Sequence, residues 1–235
     1  EHMKNGVTIE DIDNTYIYDD VEIGTDTVIH PNTTIKNDVV IGKDCEIGPN
    51  AYVREGCRLA DKVKVGSFVE LKKAICEKFL KDNGLSYEQS QIVVSSGAKS
   101  SLYHAICAIV NEGDEVIVPA YTYTASASVI SHVGAKIVLV DTQENGLEMD
   151  YDALALAINE KTKAIIPVDL AGIPCNYDRI FEIVERKKHL FKPNNEIQSA
   201  LGRIAIMADT AHAFGAKGRG RMIGSVADFS SFSFH

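Results

Sequence analysis

Along the first third of the chain the aliphatic residues keep a spacing of six. Ile17, Ile23, Ile29, Ile35, Ile41, Ile47, Val53, Leu59, Val65 and Leu71 fall on one register, with mostly polar residues between them. Four residues after nine of these ten stands a small or β-branched residue, from Val21, Thr27, Thr33 and Val39 to Val63 and Val69. A helix repeats every ~3.6 residues and a strand every ~2, so neither sustains such a pattern. A hexapeptide solenoid does: three short strands close a coil, and each sends one aliphatic plug inward. Gly24, Gly42, Gly48 and Gly66 each follow a plug. Asp19-Asp20, Asp26, Asn32, Asn37-Asp38, Asp44, Asn50 and Asp61 supply corners that tolerate a tight or left-handed backbone. The pattern predicts about three coils over residues 7–73.

After Lys72-Lys73 the pattern changes. Short aliphatic runs predict strands at Ile92–Val94, Glu115–Val118, Lys136–Val140, Ala164–Val168, Ile204–Ala208 and Asp228–Phe232. Between them, amphipathic stretches predict helices at 74–83, 100–111, 124–133, 150–160, 177–188 and 195–201. This alternation predicts an α/β domain over 74–235 with a mainly parallel, buried sheet, whose ligands gather at the carboxyl ends of strands.

Composition trims the choices. The net charge of −9 has no basic stripe, which argues against nucleic acid as a partner. No apolar run reaches the length of a membrane span, and no signal peptide follows the leading Glu-His-Met, which reads as a cloning remnant. The five scattered cysteines predict free thiols in a reducing cytoplasm, and no His/Cys cluster predicts a metal.

Three words of the second segment carry chemistry. Ser95-Ser96-Gly97-Ala98-Lys99-Ser100-Ser101 opens a predicted helix, where small residues let backbone N–H groups approach a phosphate. Ala208-Asp209-Thr210-Ala211-His212-Ala213-Phe214-Gly215 ends a hydrophobic strand on an aspartate, able to hold a pyridinium nitrogen protonated or simply to cap a turn. Phe229-Ser230-Ser231-Phe232-Ser233-Phe234-His235 alternates as a strand with hydroxyls at its exit.

In this order the three words resemble fold-type-I pyridoxal 5'-phosphate (PLP) aminotransferases. From Gly113 onward, "GDEVIVPAYTYTASASVISHVGAKIVLVD", "KTKAIIPVDLAGIPCNYD", "ADTAHAFGA" and "FSSFSFH" resemble the DegT/DnrJ/EryC1/StrS sugar aminotransferases. The resemblance implies that Gly97, Ala98 and Lys99 bind the cofactor phosphate, that Tyr123 stacks on its ring, and that Asp209 pairs with the ring nitrogen. It also implies Ala211 against the ring's other face, His212 nearby, and Ser233 on the phosphate. Residues 70–119 look more like an aspartate-type (class I) aminotransferase. The first segment resembles the left-handed parallel β-helix of the bifunctional N-acetylglucosamine-1-phosphate uridyltransferase/glucosamine-1-phosphate acetyltransferase. Arg54 and Lys72, eighteen residues apart and so expected on adjacent coils, match two sugar-phosphate-binding residues of that family; as plain residues they read rather as solvated charges.

The expected architecture is therefore a hexapeptide β-helix followed by a fold-type-I large-domain fragment, composite in origin. The lysine that holds the cofactor covalently in such families falls five residues past the match to Ser233, beyond His235, so no catalytic residue is assigned. The expected activity is an aminotransferase-like chain that binds PLP without a covalent bond and turns over little. Two alternatives stand beside it: a non-catalytic chimeric or designed scaffold, and a bifunctional amino-sugar enzyme with an acetyltransferase β-helix. Expected partners are a sugar nucleotide or sugar phosphate and further copies of the chain, as a trimer through the β-helix or a dimer through the α/β domain.

Overall fold

The computed structural model of the chain describes residues 1–66 and 69–233, those of 69–71 by backbone alone. Leu71, last of the six-residue register, thus falls outside the described side chains, and Phe234 and His235 lie outside the described residues. The chain forms two compact units, Glu1–Leu80 with Ser86–Val94, and Lys81–Leu85 with Ser95–His235.

The first unit contains the predicted solenoid. Its rungs are two-residue strands: β1 (Thr8–Ile9), β2 (Tyr16–Ile17), β3 (Glu22–Ile23), β4 (Val28–Ile29), β5 (Thr34–Ile35), β6 (Val40–Ile41), β7 (Glu46–Ile47), β8 (Tyr52–Val53), β9 (Arg58–Leu59) and β10 (Lys64–Val65). They stack in parallel as three sheets, β1-β4-β7-β10, β2-β5-β8 and β3-β6-β9. The middle plugs Ile29, Ile35, Ile41 and Ile47 are fully buried, while Ile17, Ile23, Leu59 and Val65 near the ends are partly covered. Asp26, Asn32, Asp38, Asp44 and Asn50 take left-handed corners, where a short polar side chain lowers the cost of positive φ. At the last corner Lys62, not Asp61, has positive φ. Asp61 instead accepts the Lys43 N–H from the coil beneath at 2.8 Å. Gly24 and Gly42 stack so closely that a β-carbon at either would lie 2.6 and 2.5 Å from the backbone above.

The solenoid stops earlier than its register suggests. The last rung ends at Val65, and α1 (Val69–Asn83) follows, so the boundary near residue 73 is not where the coils end. Between Gly66 and Asp82 no Gly, Asn or Asp is present to turn another corner, and the stretch continues as a helix. The predicted strand Ile92–Val94 does not form. Val93 lies 65% exposed, and a strand without a covered face gains nothing from pairing there.

In the second unit the chain runs α2 (Ala98–Ile109), β11 (Glu115–Pro119), α3 (Thr124–His132), β12 (Lys136–Val140), α4 (Tyr151–Ala157), β13 (Thr162–Ile165), α5 (Tyr177–Arg186), α6 (Glu196–Leu201), β14 (Ala205–Asp209), the hairpin β15 (Lys217–Gly218) and β16 (Arg221–Met222), and β17 (Phe229–Ser231). The main sheet is parallel, in the order β12-β11-β13-β14-β17. Alternate strand residues feed two cores. Ile117, Ile165 and Ile206 pack with α4 and α5, and Val116, Val118 and Met207 with α2 and α3. β13 ends before Pro167, which has no N–H to continue the ladder.

Candidate cofactor site

The segments that follow β11, β12, β13 and β14 line a cavity of about 450 Å³. Tyr121 and Tyr123 line it from the segment after β11, Leu147 from the segment before α4, Leu170 and Ala171 from the segment after β13, and His212 from the segment after β14.

Three residues before His212 in the chain stands Asp209, the last residue of β14. The strand is buried along its whole length and delivers the carboxylate 7% exposed. Ser126, on the buried face of α3, donates to Asp209 Oδ2 at 2.6 Å, and the Ala211 N–H donates to Oδ1 at 3.2 Å. Thr122 stands 3.0 Å from the Ser126 hydroxyl and holds it in place. No cation pairs with Asp209 among the described residues. A buried carboxylate partnered only by neutral donors is short of a positive charge.

The predicted phosphate turn also takes shape. Gly97 precedes α2 with φ 105°, a conformation suited to glycine, and no side chain caps the helix. The Ala98 and Lys99 N–H groups carry no hydrogen bond among the described residues, whereas those of Ser100 and Ser101 donate to the Gly97 carbonyl. Free N–H groups and the positive end of the helix macrodipole together favour an anion. β17 is tied to this turn. The Ser231 and Ser101 hydroxyls lie 2.7 Å apart, each 3.0 Å from the Ala98 carbonyl. Ser233 follows Ser231 by two residues, half-buried just past the strand.

The structure thus sets Tyr123 and His212 on the cavity, places Asp209 and Ala211 at the end of β14 just before His212, and ties the 97–99 turn to the strand that leads to Ser233. Tyr123, at the start of α3, is 73% exposed, so its ring face is open. Arg54 and Lys72 are not brought into register. Arg54 follows β8 in the solenoid, whereas Lys72 belongs to α1, so the expected one-coil stack does not exist. Sequence reasoning missed Ser126, Ser101, Ser231 and the 169–175 loop. Ser231 was within reach, since it shares the strand alternation with Ser233; Ser126 shows only as one more hydroxyl in a helix.

Residues 82–235 match the profile of the DegT/DnrJ/EryC1/StrS aminotransferase family. The chain belongs to that family. The match takes in most of the stretch that resembles class I enzymes. Residues 38–73 match the bacterial transferase hexapeptide repeat. Among curated relatives, GDP-perosamine synthase of Escherichia coli O157:H7 is 35% identical over 158 residues, 67% of this chain and 38% of the relative. The Streptococcus pneumoniae protein Spr1654, described as a sugar aminotransferase, has been solved in a PLP form, 55% identical over 59% of this chain and 36% of its own (TM-score 0.58). Its PMP form aligns over 70% of this chain and 41% of its own, at 47% identity and TM-score 0.64. The chain therefore spans about two fifths of the length of these relatives. For a DegT/DnrJ/EryC1/StrS member, the donor set fits PLP: free N–H groups for the phosphate, an open tyrosine for the ring, and an uncompensated buried carboxylate for a pyridinium.

Proposed function

We propose that the α/β unit binds PLP and forms part of the cofactor site of a sugar-nucleotide aminotransferase. The observation that carries this reading is Asp209, buried, without a cation among the described residues, and bound by the Ser126 hydroxyl and the Ala211 N–H. When bound, PLP supplies an electron sink for proton removal beside an amine-bearing carbon. The chain's own residues do the holding. Ala98 and Lys99 N–H groups and the Ser233 hydroxyl take the phosphate, Tyr123 covers one ring face, Ala211 lies against the other, and Asp209 keeps the ring nitrogen protonated. A sugar nucleotide as substrate is supported by the relatives, one of which is named GDP-perosamine synthase. The five free thiols agree with a reducing compartment.

A polypeptide of residues 1–235 titrated with PLP should show a saturable change in the cofactor's absorbance, reversed by dialysis, with little amination of a keto-sugar nucleotide. Removing a charged hydrogen-bond partner costs roughly 1.5–3 kcal/mol, so D209A should weaken binding about 10- to 100-fold. No saturable change in the wild-type polypeptide, or equal affinity in D209A, contradicts the reading.

A further inference from the structure

One short loop grips His212 from two sides. The segment between Asp169 and Cys175 contains two consecutive left-handed residues, Ala171 (φ 54°) and Gly172 (φ 78°). A side chain at Ala171 makes that conformation costly, so the surroundings must impose it. Its result is directional: the Ala171 N–H donates to His212 Nδ1 at 3.3 Å. Gly172 closes on the same residue from below, where a β-carbon would stand 3.2 Å from the His212 carbonyl oxygen.

A backbone N–H donates at every pH. His212 Nδ1 must therefore be the bare nitrogen, and the proton of the neutral ring sits on Nε2. Nε2 has no partner among the described residues, and the ring lines the cavity. One N–H donor is thus left for whatever enters.

The loop itself is closed by Asp169. This carboxylate is 1% exposed. It accepts the Cys175 N–H at 2.8 Å and the Tyr177 hydroxyl at 2.9 Å from both oxygens. Its own N–H donates to the Asp209 carbonyl at 3.0 Å, and its carbonyl accepts from Gly172 at 3.3 Å. A single residue so ties both ends of the loop to each other and to the strand end that carries Asp209. Burial lifts Asp169 to about 6, which leaves it a carboxylate, acceptor only, at neutral pH.

We propose that Asp169 is a positioning residue: by closing the 169–175 loop it aims the Ala171 N–H at His212 and fixes the tautomer of the neutral ring, with its proton on Nε2. The use of this donor rests on the cofactor reading, but its geometry does not.

The test is long-range ¹H–¹⁵N correlation on ¹⁵N-histidine-labelled polypeptide 1–235 without PLP, near neutral pH, with His212 assigned by its loss in H212Q. Wild type should show a protonated Nε2 and a bare Nδ1 at His212. D169A, with near-UV circular dichroism retained, should move both nitrogens toward the averaged shifts of solvent-exposed histidines. Should D169A fail to fold, Y177F, which strips one donor from Asp169, should shift the same signals in the same direction. A wild-type ring protonated at Nδ1, or His212 signals unmoved in the folded variants, overturns the proposal. Because PLP is left out, a failed PLP titration beside the expected tautomer removes only the cofactor reading, and the reverse pattern removes only this one.

Discussion

Asp209 and Asp169 are neighbouring buried carboxylates, and their surroundings set them apart. Asp209 meets one hydroxyl and one amide, whereas Asp169 is enclosed by Tyr177 and Cys175. Burial is the largest influence on Asp169 and raises it to about 6. Between the ordinary carboxylate range and about 6, the folded chain keeps a proton that the unfolded chain has lost, so this group makes stability fall as pH rises through that window. Other carboxylates move oppositely; Glu115, for example, is lowered by Asn159 and Lys136. The comparison of wild type with D169N isolates the effect. Urea unfolding should show D169N gaining on wild type from about pH 4 to about pH 6 and no further drift above, and a difference that is flat or reversed over that window contradicts the assignment. Asp209, His212 and Tyr123 are legible in the sequence because they sit inside words shared by a family. Asp169 is not, since its partners Cys175 and Tyr177 matter only once the loop has closed.

At the scale of elements, the solenoid shows how a simple register becomes a packed column. Thr27 and Thr33 occupy equivalent small positions, and both are fully buried. Thr27 donates to the Gly42 carbonyl at 2.9 Å and accepts the Cys45 N–H at 3.1 Å, while the Thr33 hydroxyl has no partner among the described residues. A buried hydroxyl without a bond is a cost, and a buried donor stripped of its acceptor is another. T33V should therefore stabilise the solenoid by about 1 kcal/mol, and T27V should destabilise it by about 1–3 kcal/mol. Chemical denaturation of the two variants checks both signs, and two changes of the same sign defeat the account. The six-residue register announces the coils because each plug must point inward. It does not announce their end: Leu71 continues the count, yet the lack of a corner residue after Gly66 hands the stretch to α1. The α/β elements are legible from alternating runs of apolar residues, except at Ile92–Val94, where a strand-like run lacks a covered face.

As a whole the molecule contains two architectures, a parallel solenoid and an α/β unit. One set of buried residues fills the solenoid, and two others cover the faces of the parallel sheet. No helix among the described residues is long and apolar enough to cross a membrane. The match to the family falls largely on the second unit, where four segments after parallel strands converge, as expected of open α/β sheets. The central claim is that these residues form a cradle for PLP. A crystal structure of polypeptide 1–235 grown with saturating PLP tests it most directly. The account predicts the phosphate on the Ala98 and Lys99 N–H groups, the ring between Tyr123 and Ala211, and its nitrogen against Asp209. Density for the cofactor anywhere else, or none at all in this cavity, contradicts it.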